Sequence, residues 1–267
     1  MSETIGFIGL GQLGLPIATN LLNTGYSLHV YNRTASKAES LVAQGAKLMD
    51  RPADAVTSGG IVVTLVWDDA ALESVVMSAG FLEQLGPGSI HIAMSTVLPE
   101  TSKKLAAIHA KHGCAYVEAP IFGRPEAALA RQLWIPFTGP QSTKERVRPI
   151  LEAMGAQGIF DFGEEAGAAN IVKIAGNFLI VSAGRSISEA LTMVGKNGVD
   201  PKAVIDMLTS TLFSAPIYQS YGKRIAEKSP PFQSPIPLKD IGLFKRTAQQ
   251  VEEPTPIANT LHDLLQN

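Results

Sequence analysis

The sequence predicts an α/β domain built on a mostly parallel sheet, followed by an all-α domain that a long helix joins to it. Three observations carry this prediction. Short β-rich runs alternate with helical stretches through the first 163 residues; a glycine pattern sits at the first strand-to-helix turn; residues 165–197 contain neither a proline nor a strand-like alternation. The strand candidates are 4–9, 27–32, 61–66, 89–94, 116–119 and 133–138, each rich in β-branched or aromatic residues. Between them, 13–24, 36–44, 70–77, 100–112 and 143–154 have helical composition and apolar spacing. Strands separated by helices of this length form βαβ units. Pro136 cannot donate to a ladder, so the sixth strand is an edge or carries a local break.

After Gly163 the pattern changes. Ile171, Ile174, Phe178 and Val181 follow one helical stripe, and Ile180, Ile187, Leu191 and Val194 mark a second. A helix apolar on two faces is buried between partners, which points to a second copy of the chain, a homodimer. Gly198 supplies the stop. Further helices are expected at 201–211, 217–228, 239–251 and 256–266, with Pro230, Pro231, Pro235 and Pro237 forming an extended connector before Lys239. The domain boundary falls between residues 163 and 164.

Composition excludes several function classes. With 45% hydrophobic and 17% charged residues, the chain has material for a real core. Its net charge of −2 and the lack of a basic stretch argue against a nucleic-acid binder. Cys114 is the single cysteine, so intrachain disulfides and cysteine metal clusters are excluded. It reads as a small buried residue. No apolar run approaches the roughly 18 residues of a membrane helix, and the N-terminus opens directly into a strand-like run, so a cytoplasmic protein is expected. His109 and His112 stand three apart with no cysteine or carboxylate beside them, and read as an exposed helical pair rather than a metal site.

Gly9-Leu10-Gly11-Gln12-Leu13-Gly14 fits G-x-G-x-x-G, ending an apolar β-run and opening a helix. In that context the pattern marks a Rossmann-type fold: the first glycine turns the chain, the second admits a pyrophosphate, and the third lets helix and strand approach. The second strand then selects the dinucleotide. Where NAD calls for a carboxylate, this chain reads Asn32-Arg33-Thr34, with Lys37 behind. A guanidinium matches a 2′-phosphate bidentately, so the expected cofactor is NADP(H). Residues 1–163 then form the NADP-binding domain and 164–267 a helical substrate and dimerisation domain.

These residues resemble the β-hydroxyacid dehydrogenase family, which includes 3-hydroxyisobutyrate and 6-phosphogluconate dehydrogenases and glyoxylate/succinic-semialdehyde reductases. The likeness runs from Gly6 through Gly14, Pro16, Ala18 and Asn20 to Ser95-Thr96, Ala119-Pro120-Ile121-Phe122-Gly123, Lys173 with Asn177, and Lys239-Asp240. The resemblance implies that Lys173 is the catalytic lysine and Asn177 its neighbouring asparagine. It also implies that Thr96, Leu65, Val66 and Lys239 contact the cofactor, and that Ser95 and the loop of Phe122, Gly123 and Arg124 contact substrate. That loop departs from the family, where a serine and two glycines hold a substrate carboxylate. Gly176 stands where many members have a second asparagine, and the chain stops short of the usual C-terminal tail. Imine reductases, a related branch, share the Asn-Arg-Thr signature but usually replace the lysine.

Chemically, Lys173 and Asn177 are four apart and share a helix face. A lysine on a largely apolar helix is a suitable proton donor to the alkoxide that hydride delivery creates. Asn177 orients either the carbonyl or the lysine. Asn170 reads as a helix-surface residue, Lys239-Asp240 as a solvated pair opening a helix, and Trp67-Asp68-Asp69 as a strand-ending, helix-capping loop. Phe213, Tyr218 and Tyr221 read as core or interface aromatics. The expected activity is NADPH-dependent reduction of a carbonyl. The alternatives are imine reduction and a dinucleotide-binding regulator without catalysis.

Overall fold

The computed structural model describes residues 3–227 and 235–266, and its packing divides the chain into two units, Met1–Lys173 and Ile174–Asn267. The change in sequence pattern lies at 163/164, whereas this division falls inside the long helix.

In the first unit, β1 (Thr4–Ile8), β2 (Ser27–Tyr31), β3 (Lys47–Leu48), β4 (Ile61–Thr64), β5 (Ile90–Ala93) and β6 (Ala115–Glu118) form one sheet. Its order is β3-β2-β1-β4-β5-β6 and every pairing is parallel. This is the doubly wound dinucleotide-binding order, with its reversal between β1 and β4. Helices α1 (Gly14–Asn23), α2 (Glu39–Val42), α3 (Asp69–Val76), α4 (Phe81–Leu85) and α5 (Pro99–Lys111) make the crossovers. Phe7, Val63, Ile92 and Val117 line up across the sheet and pack with Ile17 and Leu21. Ile8, Val62 and Ala93 point to the other face, against Leu72, Phe81 and Leu105. Both faces are covered, which is why the central strands are continuous apolar runs.

The sixth expected strand lies outside this sheet. After α6 (Pro125–Leu129), β7 (Leu133–Phe137) pairs in parallel with β8 (Ala156–Asp161) across α7 (Gln141–Ala153). Antiparallel bridges Glu118–Thr138 and Phe122–Trp134 tie β7 to the chain leaving β6. Their common register sets Pro120 opposite Pro136, where neither residue has an N–H to give. β8 escaped the sequence reading because its residues are mostly exposed or half-buried and carry no apolar alternation.

The second unit continues α8 (Ala168–Lys196) and adds α9 (Pro201–Ser210), α10 (Pro216–Ala226), α11 (Ile236–Gln249) and α12 (Pro256–Gln266). Val181 packs with Ile241, Ala258 and Leu261, and the Phe178 and Phe244 rings stack at 4.1 Å. Ile187 and Leu191 pack instead with Ile205, Tyr218 and Tyr221. Both stripes of α8 thus find partners inside the unit, and the two-faced pattern requires no second copy. Ile171, expected on the first stripe, is exposed. Helix α11 starts at Ile236, with Pro235 capping it and Pro237 in its first turn, where a missing N–H costs nothing. The extended connector expected around Pro230 and Pro231, and the helix end expected at Lys228, lie outside the described residues.

Two histidines correct the sequence reading. His91 and His109 are fully buried on the β5–α5 side, and His109 is not part of an exposed pair. His109 Nδ1 lies 2.7 Å from the Leu105 carbonyl, which only accepts, so Nδ1 carries the proton. His109 Nε2 then accepts from His91 Nδ1 at 3.0 Å, and His91 Nε2 accepts from the Thr64 hydroxyl at 2.8 Å. The chain is complete with both rings neutral. Burial pushes both histidines down, His109 to about 4.

The unfolded chain takes these protons near pH 6.5. Stability from the pair is therefore fully present above that pH and is lost as pH falls from 6.5 toward about 4. His109 alone accounts for a loss on the order of 3 kcal/mol. Urea midpoints should stay level from about pH 7.5 to about pH 6.5 and fall from there to about pH 4.5, and that fall should flatten in His91→Phe/His109→Leu. Equal slopes in the two proteins would show that the pair is not the acid-sensitive element.

Candidate active site

The turn from β1 into α1 contains three glycines with different reasons to be glycine. Gly9 has φ +102°, and a Cβ there would collide with the Leu65 carbonyl; a Cβ on Gly14 would collide with the Gly9 carbonyl. Around Gly11, in contrast, nothing lies within 4 Å of such a Cβ. Two glycines close the packing and the exposed middle one leaves an open cradle. The first turn of α1 has no side-chain cap and no acidic residue. Although Leu15 and Ile17 N–H donate to the Gly11 and Leu13 carbonyls and Pro16 has no N–H, its positive dipole end is offered to an anion. Gln12 is exposed beside the cradle and Leu13 half-buried. The residues present fit a nicotinamide dinucleotide.

Neighbouring side chains brace this loop. Gly9 N–H donates to the Tyr31 carbonyl at 3.0 Å, and Leu10 N–H to Asn32 Oδ1 at 2.8 Å. Asn32 Nδ2 donates to the Thr34 carbonyl at 2.9 Å, so Asn32 shapes both segments. Arg33 and Thr34 are exposed beyond β2, and Arg33 has no hydrogen bond or ion pair with any described residue. Val66 N–H donates to Ser95 Oγ at 2.8 Å, which places the buried Ser95 hydroxyl behind the half-buried Leu65-Val66 segment. Half-buried Thr96 follows β5. All of these sit past the C-terminal ends of β1, β2, β4 and β5, the ligand-binding edge of such sheets.

Lys173 is held in the same unit through the start of α8. Glu118, the last residue of β6, is 1% exposed and faces that helix N-terminus. Oε1 accepts from Gly167 N–H. Oε2 accepts from Asn170 N–H at 3.3 Å and Asn170 Nδ2 at 3.0 Å. Thr138 Oγ1 accepts from Ala169 N–H at 2.9 Å. Burial pushes the Glu118 carboxyl above its ordinary value, while the Gly167 and Asn170 donors and the Ser102 hydroxyl pull it down. Asn170 is not a surface residue: it is buried, accepts from Val97 N–H at 3.1 Å and donates to Ser102 Oγ at 3.1 Å.

One turn farther on, Lys173 is 8% exposed and its Nζ lies 4.1 Å from the centroid of the Phe122 ring. Two hydrogen bonds with Trp134, of 2.8 and 3.0 Å, pin the Phe122 backbone. Gly123 follows at φ +151°, where a Cβ would strike Leu133. Arg124 points elsewhere: its exposed side chain pairs with Glu126 at 3.4 Å, and an exposed pair of this kind contributes little. The structure brings Phe122 to Lys173 and leaves Arg124 in solvent.

In the second unit, Asn177 is buried and its Nδ2 donates to Asp240 Oδ2 at 2.7 Å. Lys239 Nζ lies 3.9 Å from Asp240 Oδ1. Asp240 is only 6% exposed, so the solvated pair expected from sequence is instead a buried carboxylate that orients an amide. The sequence reading missed Glu118, Thr138 and Ser102 as organisers of the start of α8, and Asp240 as the partner of the Asn177 amide. A lone carboxylate ending a strand buried on both faces was the available signal for Glu118. Among the described residues, no group of three metal-ligating side chains is present and no helix is long and apolar enough to cross a membrane.

Comparison with known proteins agrees with this layout. Residues 4–176 match the NAD-binding domain of 6-phosphogluconate dehydrogenase, and 167–267 match the NAD-binding domain of NADP-dependent 3-hydroxyisobutyrate dehydrogenase. The oxidoreductase YfjR of Bacillus subtilis is 43% identical over 258 residues, covering 95% of this chain and 90% of that protein. An NAD-dependent L-serine dehydrogenase of Pseudomonas aeruginosa is 29% identical over 268 residues, covering 96% and 89%. The solved 3-hydroxyisobutyrate dehydrogenase of Mycobacterium tuberculosis with L-serine superposes with a TM-score of 0.88 at 24% identity, covering 100% and 93%.

Replacing Glu118 leaves the buried Gly167 and Asn170 backbone N–H groups without this acceptor, each worth about 1–3 kcal/mol. Glu118→Ala should therefore lower stability by at least about 2 kcal/mol in urea unfolding, and Glu118→Gln, which keeps one acceptor, by less. Unchanged stability in Glu118→Ala would show that α8 does not depend on this cap.

Proposed function

Because this chain belongs to the β-hydroxyacid dehydrogenase family, we propose that it is an NADP(H)-dependent oxidoreductase reducing an aldehyde, semialdehyde or keto acid, the reverse being oxidation of a β-hydroxyacid. One observation carries the reading: a buried lysine, Lys173, is held in the same unit as the glycine loop, on a helix that a buried carboxylate caps. Gly9, Gly11, Gln12, Leu13 and Gly14 hold the pyrophosphate, Arg33 and Thr34 the 2′-phosphate, and Leu65, Val66, Thr96 and Lys239 the remainder of the dinucleotide. When bound, the dinucleotide supplies the hydride. Lys173 Nζ gives its proton to the substrate oxygen as negative charge develops there. Asp240 turns the Asn177 amide so that Nδ2 faces the carboxylate, which directs Oδ1 toward a hydroxyl or ammonium donor. Helices of the second unit then serve substrate binding and pairing of two copies, for which Leu179 and Met193 leave exposed apolar surface on α8.

NADPH oxidation across semialdehydes, keto acids, ketones and cyclic imines tests this reading. Turnover of cyclic imines alone would replace carbonyl by imine reduction, and NADPH binding without any turnover would make the protein a dinucleotide-binding regulator.

Arg33 and Thr34 should give at least a tenfold preference for NADPH over NADH in kcat/KM, a difference of about 1.4 kcal/mol. Equal efficiency with both cofactors, or an Arg33→Asp variant that keeps the preference, contradicts the assignment. Lys173→Met should lower kcat by roughly 10²–10⁴ while leaving NADPH affinity nearly unchanged. A variant with most of its activity would remove Lys173 from proton transfer.

A further inference from the structure

We propose that Phe122 is the positioning residue of the proton donor: its ring face holds the Lys173 ammonium in place, and the ring acts on proton delivery rather than on substrate fit. The proposal rests on the reading of Lys173 as donor and changes the role expected for Phe122 from its place in the substrate loop.

Three observations carry it. The Lys173 Nζ lies 4.1 Å from the ring centroid, inside the roughly 6 Å range of cation–π attraction. Phe122 cannot drift away, because the bridge to Trp134 fixes its backbone on both hydrogen bonds and the constrained Gly123 follows it. Nor can the base of Lys173 drift, because Glu118 and Thr138 hold the first turn of α8. Two rigid supports thus present a ring face and an ammonium to each other.

Chemistry explains why a ring suits this place. A serine hydroxyl, usual in the family's loop, would accept a hydrogen bond from Nζ or donate to a substrate carboxylate. A phenylalanine face attracts the charge without a conventional acceptor, so this contact itself uses none of the ammonium's N–H donors. The attraction is to the cation, and it therefore favours the lysine while it still holds the proton to be delivered. Arg124, the other novelty of the loop, is turned to Glu126 and contributes nothing to this contact.

The test compares Phe122→Leu, which keeps an apolar side chain but has no ring face, with Phe122→Tyr, which keeps the face. The first readout needs no cofactor. In full-length protein with isotope-labelled lysines, the Lys173 ε-methylene signal, assigned through Lys173→Met, should be shifted upfield by the ring. The shift should vanish in Phe122→Leu and persist in Phe122→Tyr. An unshifted signal, or a shift that survives Phe122→Leu, overturns the proposal.

The second readout uses NADPH with the fastest-reduced carbonyl of the panel. Phe122→Leu should lower kcat by roughly three- to thirtyfold with KM within about twofold, and Phe122→Tyr should stay within about twofold of the parent. Combined with Lys173→Met, Phe122→Leu should have no further effect. A raised KM at constant kcat, or a Phe122→Leu loss that persists without the lysine, would mean that the ring touches substrate and would overturn the proposal. An unchanged kcat in Lys173→Met by itself sinks the donor reading and the ring's kinetic role with it, whereas the methylene shift separately decides whether Phe122 holds the ammonium.

Discussion

The Glu118 carboxylate at the start of α8 is the interaction on which the arrangement of the first unit depends. A helix begins with N–H groups that have no partner within it, and here they start in a buried place where water cannot serve them. Glu118 and Thr138 take the donors of Gly167, Ala169 and Asn170, so the helix has one axial position and one rotation that satisfy them all. The negative charge also lies at the favourable end of the helix dipole. Asn170 extends the same network to Val97 and Ser102, which binds the segment following β5 to the same carboxylate. Lys173 emerges one turn later, its direction set before any ligand arrives.

Around the glycine loop the side chains divide between bracing and waiting. Asn32 and Ser95 hold backbone amides of Leu10 and Val66. Arg33 and Thr34 stand exposed next to them, beyond β2. The division follows from reach and flexibility: a short amide at a strand end meets the adjacent turn, and a long guanidinium extends past it. The loop after β6 divides in the same way, with the Phe122 ring turned to Lys173 and the Arg124 guanidinium turned outward to Glu126.

In the buried histidine chain of this unit each donor meets an acceptor. From Thr64 through His91 and His109 to the Leu105 carbonyl, one set of neutral tautomers completes the chain, and adding a proton turns the Thr64 hydroxyl from donor to acceptor and buries a charge in an apolar core. A satisfied polar chain inside an apolar core specifies a single packing of β4, β5 and α5. Thr64 is also the residue immediately before Leu65-Val66, so the same chain steadies the strand end from which that segment leaves.

Local chemistry determined much of this protein from sequence alone. The alternation of apolar strands and amphipathic helices dictated the parallel sheet, G-x-G-x-x-G at the first turn dictated the cradle, and the proline-free run dictated the long helix, because each depends on residues near one another in the chain. What only the tertiary structure decided are relations across long separations. β7 left the main sheet to pair with β8, whose exposed residues carry no pattern. Asn170, His109 and Asp240 look like surface residues by type and are buried, because partners 52, 18 and 63 positions away complete their hydrogen bonds. A side chain's identity states which bonds it can make; whether Phe122 meets substrate or lysine depends on which distant element the fold lays across its ring.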